Sequence, residues 1–255
     1  MEVLVVGAGT MGRWFGEVLS DGPRTVELTY VDERPSAANE ATDHLGGRTL
    51  AGDDEAFDVV CIAVPIPVAT DAIATYADRA TTGIVDVTGT MREPVDAMQR
   101  HAPDRERMSL HPLFAPTAEP GNVPVVVDRA GPVTDGVREA LERRGNNVFE
   151  TTPEEHDEMM ETVQARAHAA ILAFALAGEQ VPERFHTPVS ADLAGLVETV
   201  TGGPGRVYAD IQRAFGGAAD VAAAASDIAS ADGEQFERLY ERARQDGNAS
   251  GEDRR

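Results

Sequence analysis

The hexapeptide Gly7-Ala8-Gly9-Thr10-Met11-Gly12 constrains this chain more than any other stretch. It follows the apolar run Glu2–Val6, which reads as a strand, and opens the stretch Thr10–Leu19, which reads as a helix. Glycines so placed permit a tight turn and a close approach of backbone to a ligand. The N–H groups at such a helix start suit a phosphate anion. Asp32 ends the next apolar run, Thr25–Val31, twenty residues after Gly12. A carboxylate there accepts ribose hydroxyls and repels a 2′-phosphate, so the pattern predicts NAD, with NADP second. Arg34 works the other way, because a nearby arginine accommodates a 2′-phosphate. An incidental glycine turn with a capping aspartate is the bland alternative. Strand, glycines, helix and acid in register favour a dinucleotide held by Gly7, Gly9, Thr10, Met11, Gly12 and Asp32.

Strand and helix signals alternate onward. Pro35–His44 reads as a polar helix, and Asp58–Val64 is a continuous apolar run, as expected of a strand buried on both faces. Ala63-Val64-Pro65 closes that run, which places Val64 and Pro65 beside the cofactor crevice. Helices are predicted near Ala69–Ala80 and Pro94–His101, with strands at Gly83–Val87 and Arg107–Leu110. Val123–Val127, Val133–Arg143 and Asn147–Glu150 read as a further strand, helix and strand. The class is α/β: an N-terminal Rossmann-type doubly wound, mostly parallel sheet.

The pattern changes at Thr152. Thr152-Pro153-Glu154-Glu155 is a capping box with proline at the first helical position, and its helix should run to Ala177 and stop at Gly178. Further helices are predicted at Ala191–Thr201, Arg206–Phe215, Ala218–Ala229 and Gly233–Arg244, with no convincing strand. The expected organisation is a dinucleotide-binding domain at 1–151, an all-α helical domain at 152–245 and a disordered tail at 246–255. The helical part is apolar on more than one face, above all at 167–176, so a second subunit is its simplest cover and a homodimer is expected.

Charge bears on setting rather than on activity. The chain has 44 acidic and 22 basic residues, a net charge of −22, and no lysine. Such a surface resembles proteins of halophilic archaea, in which concentrated salt screens self-repulsion. It excludes the basic patches that nucleic acid requires. The single cysteine, Cys61, lies in an apolar run and reads as a small core residue, so no disulfide within the chain and no zinc spacing are expected. No metal site is predicted. No apolar run has membrane-spanning length, and MEVLVVGAG lacks a basic leader, so the expectation is a cytoplasmic protein without a membrane partner.

Candidate chemistry sits at strand ends and on one helix. Asp86-Val87-Thr88-Gly89-Thr90 closes one strand, and its hydroxyls either orient a catalytic group or cap a turn. His111, in Ser109-Leu110-His111-Pro112-Leu113-Phe114-Ala115-Pro116, follows another strand; by position it is either a general base or a loop residue. Gln164 and His168, four apart, share a helix face. Arg166 lies on another face in an apolar stretch and needs an acidic partner, from a carboxylate substrate or a partner protein. His156 reads as a polar residue of a first helical turn.

Together these pieces resemble the prephenate dehydrogenases of the TyrA type. The resemblance covers about Met1 to Gln212. It rests on the glycine motif, Asp86-Val87-Thr88, His-Pro-Leu-Phe-Ala-Pro, Pro153-Glu154-Glu155-His156-Asp157 leading to Gln164-Ala165-Arg166-Ala167-His168, and Pro204-Gly205-Arg206-Val207-Tyr208. It implies that NAD takes a hydride from C4 of prephenate while a base takes the C4 hydroxyl proton and the ring loses CO₂. The product is then 4-hydroxyphenylpyruvate, or tyrosine from arogenate. It implies His111 as the catalytic histidine, His168 as a substrate-side histidine, and dimerisation through the helical domain. Gly89 stands where the family commonly has a serine that orients the histidine, a role then expected of Thr88 or Thr90. Glu198 stands where the family has an arginine for the substrate carboxylate, which leaves Arg206, Arg166 or Arg92 to compensate. Two other readings stay open. A dehydrogenase of another small hydroxy acid usually relies on a helical-domain lysine, which this chain lacks. A catalytically weak NAD-binding protein would fit Gly89 and Glu198.

Overall fold

A computed structural model describes residues 1–22, 24–179 and 181–249. Among the described residues eight strands form one sheet: Glu2–Val6 (β1), Glu27–Val31 (β2), Arg48–Thr49 (β3), Phe57–Ile62 (β4), Ala80–Asp86 (β5), Glu106–Leu110 (β6), Asn122–Arg129 (β7) and Asn147–Glu150 (β8). Their order is β3-β2-β1-β4-β5-β6-β7-β8. Helices Thr10–Ser20 (α1), Pro35–Leu45 (α2), Ala69–Tyr76 (α3), Arg92–His101 (α4) and Pro132–Arg143 (α5) fill the connections.

The layering follows from the two-residue period of a strand. Val3, Val5, Val59 and Cys61 point into one apolar cluster, where Phe15 of α1, Ala38 of α2 and Val137 of α5 cover them. The alternate residues Leu4, Val60, Ile62 and Ile84 point into a second cluster with Ile73 of α3 and Met98 of α4. The sheet is therefore covered on both faces, as the unbroken apolar run at β4 requires.

The doubly wound sheet is as expected, with two differences. β1 to β6 pair parallel, but β7 runs antiparallel to β6, and β8 is parallel to β7. The connection at 111–121 holds no crossover helix, so the chain turns back beside β6. The two-residue β3 is too short to show an alternation.

The chain divides into two compact units: Met1–Met160 with Ala209–Ala214, and Glu161–Tyr208 with the chain from Phe215 onward. The helix Pro153–Met160 (α6) belongs to the first unit, where it packs on α4. Half of the expected capping box forms: Thr152 Oγ1 accepts the Glu155 N–H at 3.1 Å, while Glu155 Oε2 accepts the Thr151 hydroxyl at 2.9 Å. The helix is not uniform beyond it. Glu161–Arg166 forms a π-helical turn before Ala167–Ala177 (α7), and Gly178 ends α7 in extended rather than left-handed backbone, at φ −78°.

Pro188–Thr201 (α8), Gly205–Ala214 (α9), Gly217–Ser230 (α10) and Gly233–Ala249 (α11) follow. α11 includes residues 246–249, which were expected to open a disordered tail; 250–255 lie outside the described residues. Within the second unit α7 packs on α8 and α10, yet no α7 residue is fully buried. Among the described residues no helix is long and apolar enough to cross a membrane.

Candidate active site

Strand register builds the site. Val31 pairs with Val6, Val6 with Ile62, Ile62 with Asp86, and Asp86 with Ser109. That row brings the next residues, Asp32, Gly7, Ala63 and Val87, to one carboxyl edge, with Thr88 and His111 just beyond. Open α/β sheets bind ligands at this edge.

The glycine turn is shaped from inside and open outside. Gly7 has φ +96°, and a Cβ on it would lie 2.3 Å from the Ala63 carbonyl oxygen. A Cβ on Gly12 would lie 1.9 Å from the Gly7 carbonyl oxygen. A Cβ on Gly9 would meet nothing within 4 Å. Packing therefore demands the first and third glycines, and the second leaves a clear approach. Gly9 offers no side-chain cap to the first-turn N–H groups of Thr10, Met11 and Gly12. Asp32 Oδ2 accepts the Ala8 N–H at 2.9 Å and Oδ1 the Arg34 N–H at 2.8 Å, with Arg34 Nε 3.8 Å from Oδ1. Val64 and Pro65 lie in the turn after β4, where a Cβ on Gly7 would come within 3.2 Å of Val64 Cγ1. These residues fit a dinucleotide, with pyrophosphate at the Gly9 opening and ribose at Asp32.

His111 closes β6, and its N–H donates to the Pro124 carbonyl at 3.1 Å. Phe114 in the same loop packs edge-on against Trp14 of α1, with ring centroids 5.8 Å apart. His111 Nδ1 lies 3.0 Å from His156 Nε2, and His156 Nδ1 lies 2.9 Å from Asp157 Oδ1. The Asp157 carboxylate also accepts the N–H groups of Met91 and Arg92, at 3.0 and 3.1 Å, where α4 begins. Both histidines are buried. Burial pushes His111 from 6.5 down to about 3, helped by the neighbouring His156 and opposed by Asp157. Burial works against ionised Asp157, but hydrogen bonds from His156, Met91 and Arg92 hold it below the usual carboxylate range. Beneath the loop, Asp86 accepts Ser109 Oγ–H at 2.8 Å and the Thr88 N–H at 3.2 Å, and burial raises it to about 7.

Three sequence readings acquire partners in the structure. His156 stands in the first turn of α6, as expected, but it is buried there and is the partner of His111 Nδ1. Its signal was a histidine and an aspartate adjacent just inside a capping box. His111 Nδ1 thus meets His156, where the sequence looked to Thr88 or Thr90 for an orienting group. The Thr88 hydroxyl proton is directed to Asp86 Oδ2 or to the Thr90 carbonyl, both at 3.2 Å. Gly89 borders the far side of the imidazole, where a Cβ would lie 3.8 Å from His111 Nε2. Arg166 finds its acidic partner within its own unit: Nη2 and Nε lie 2.7 and 2.9 Å from Asp220 Oδ2. That pairing supplies within the chain the acid that the sequence looked for in a substrate or a partner protein.

The other helical candidates lie in the second unit. His168 Nδ1 is buried without a hydrogen-bond partner among the described residues, and its ring stands edge-on to Tyr208 with centroids 4.8 Å apart. Burial lowers the His168 pKa. Gln164 is half-buried and Arg206 exposed.

No family model matches the chain. The 4-amino-4-deoxyprephenate dehydrogenase of Streptomyces pristinaespiralis is 33% identical over 238 residues, covering 85% of this chain and 78% of that protein. The chain belongs to the prephenate dehydrogenase family. A protein of Schizosaccharomyces pombe named probable prephenate dehydrogenase (NADP+) is 26% identical over 186 residues, 69% of this chain and 43% of that one. The fold agrees with this family. The prephenate dehydrogenase of A. aeolicus, solved with hydroxyphenyl propionate and NAD+, superposes with a TM-score of 0.72 at 16% identity, covering 98% of each chain. The Synechocystis arogenate dehydrogenase gives 0.62 at 17% identity, over 98% of this chain and 100% of that one. Members of the prephenate dehydrogenase family are oxidoreductases.

Proposed function

We propose that this chain catalyses the NAD-dependent oxidative decarboxylation of prephenate or arogenate. The observation that carries the reading is the buried imidazole of His111, kept neutral at the sheet edge that also holds the open Gly9 turn. NAD, when bound, supplies the hydride acceptor. The first-turn donors of α1 hold its pyrophosphate, and Asp32 selects a free ribose hydroxyl. Neutral His111 takes the C4 hydroxyl proton at Nε2 as C4 gives up its hydride. The surrounding burial keeps water from competing for that proton. Loss of CO₂ then leaves its bonding electrons to complete the aromatic ring. With Arg166 held by Asp220, Arg206 and Arg92 are the remaining candidates for the substrate carboxylate. His168 and Gln164 are proposed as further substrate contacts.

A second reading rests on the 33% relative: the substrate is 4-amino-4-deoxyprephenate, with nitrogen in place of the C4 hydroxyl. The same base then takes a proton from nitrogen. We also propose a homodimer formed through α7, whose apolar residues the second unit leaves partly exposed.

The test is NADH formation by the purified protein in concentrated KCl with prephenate, arogenate and 4-amino-4-deoxyprephenate in parallel, repeated with NADP. Turnover of one compound names the substrate. No turnover of any, with NAD still raising the melting temperature, would sink the reading in favour of another hydroxy acid or a non-catalytic role.

A further inference from the structure

The junctions between His111, His156 and Asp157 fix where their protons lie. The Asp157 carboxylate accepts two backbone N–H groups and donates nothing, so His156 Nδ1, 2.9 Å away, carries a hydrogen and donates it. In its neutral form His156 presents a lone pair at Nε2. His111 Nδ1, 3.0 Å from it, must donate in turn. The remaining lone pair of His111 is on Nε2, the atom on the Gly89 side. A histidine tautomer set by the partner of its other nitrogen is a general device.

We propose that His156 and Asp157 are positioning residues that lock His111 as an Nε2 acceptor and relieve it of its proton during turnover. This rests on the base role assigned to His111 above. The step balances in one proton. Nε2 of His111 gains the hydrogen that leaves the substrate, Nδ1 gives its own to Nε2 of His156, and His156 becomes an imidazolium against the Asp157 carboxylate. His111 returns to a neutral ring with its hydrogen on Nε2, and reversal through water resets the chain. The relay answers a physical need. A buried imidazole facing another histidine holds a second proton poorly, whereas His156 has a carboxylate beside it. Asp157 is itself held by the N–H groups of Met91 and Arg92, where α4 begins.

The experiment combines ¹⁵N-histidine NMR of the substrate-free protein with kinetics of two variants. In the wild type near neutral pH, His111 should show a protonated Nδ1 and an unprotonated Nε2. His156→Phe removes the acceptor, so His111 should become a mixture of tautomers and kcat should fall about 10²-fold with KM little changed. His156→Gln restores an acceptor that cannot carry the proton. It should recover the tautomer in the spectrum but only part of kcat. A wild-type His111 protonated at Nε2 would overturn the proposal, as would a phenylalanine variant with unchanged tautomer and kcat. Should His156→Phe fail to fold, the wild-type spectrum and the glutamine variant decide. The spectrum needs no substrate, so a wrong substrate assignment and a wrong relay give different results.

Discussion

Asp32 Oδ2 accepts the Ala8 N–H at 2.9 Å, tying the tip of β2 to the first turn of the glycine motif. One carboxylate thus holds the turn in shape and, in the proposed function, contacts the ribose. Asp32→Asn keeps an acceptor for Ala8 and removes the charge, so NADP use should rise while the fold is kept. Asp32→Ala also strips Ala8 of its acceptor, so NAD binding itself should weaken. The ratio of kcat/KM for NAD over NADP should fall about tenfold or more, the scale of one lost hydrogen bond to a charged group. An unchanged ratio in both variants would remove the ribose contact.

The three glycines should separate packing from binding. Gly12→Ala drives a Cβ to within 1.9 Å of a carbonyl oxygen, a clash only backbone movement relieves. It should cost about 3 kcal/mol of stability in urea unfolding. Gly9→Ala meets nothing in the protein. It should lower stability by no more than about 1 kcal/mol, the scale of a helix-cap change, and abolish the rise in melting temperature that NAD gives. A Gly9→Ala variant that still responds to NAD would place the pyrophosphate elsewhere.

The contrast between those glycines and His156 shows what the sequence made legible. The strand-to-helix turn at Gly7–Gly12 and the Thr152 N-cap are local devices, complete within six residues or fewer, and the structure forms both. His156 was read only in part, because its partner lies 45 positions away. Arg166 demanded an acid, and the demand was right; the acid, Asp220, lies 54 positions further on and is not marked by spacing. The reversal of β7 depends on how the 111–121 loop turns, and a β-strand carries the same alternation in either direction. The π-helical turn at Glu161–Arg166 keeps a helix-like pattern on both sides, which hides its extra width.

Two buried groups at the site pull the pH dependence of stability in opposite directions. His111 has a folded value of about 3 against an ordinary 6.5. Between those values the unfolded chain binds a proton that the folded chain does not, so stability is lost as pH falls below about 6.5. Asp86 is raised from 3.8 to about 7. There the folded chain binds the extra proton, so stability is lost as pH rises from about 3.8 to 7. Asp86→Asn removes the second effect, and its urea midpoint should drop more steeply than wild type from pH 7 to 5. His111→Asn removes the first, should flatten or invert the acid loss, and should also abolish most turnover. Parallel midpoint curves for all three proteins would contradict the burial of these groups.

Net charge and the exposed face of α7 act together. At −22, with no lysine, two copies of this chain repel each other in dilute buffer. The screening length shrinks from about 10 Å at 0.1 M salt to about 3 Å at 1 M, which removes repulsion within the chain and between copies. Leu176 is 87% exposed and Phe174 40%, so apolar area is ready to be buried once repulsion is screened. The melting temperature should therefore climb with KCl, and light scattering should show the monomer giving way to a dimer. Leu176→Asp should hold the protein monomeric at every salt concentration. Its effect on the stability of the monomer should stay within about 0.5 kcal/mol, because the wild-type side chain is already in solvent. A melting temperature indifferent to salt would remove the screening argument, and an unchanged dimer in Leu176→Asp would place the subunit contact away from α7.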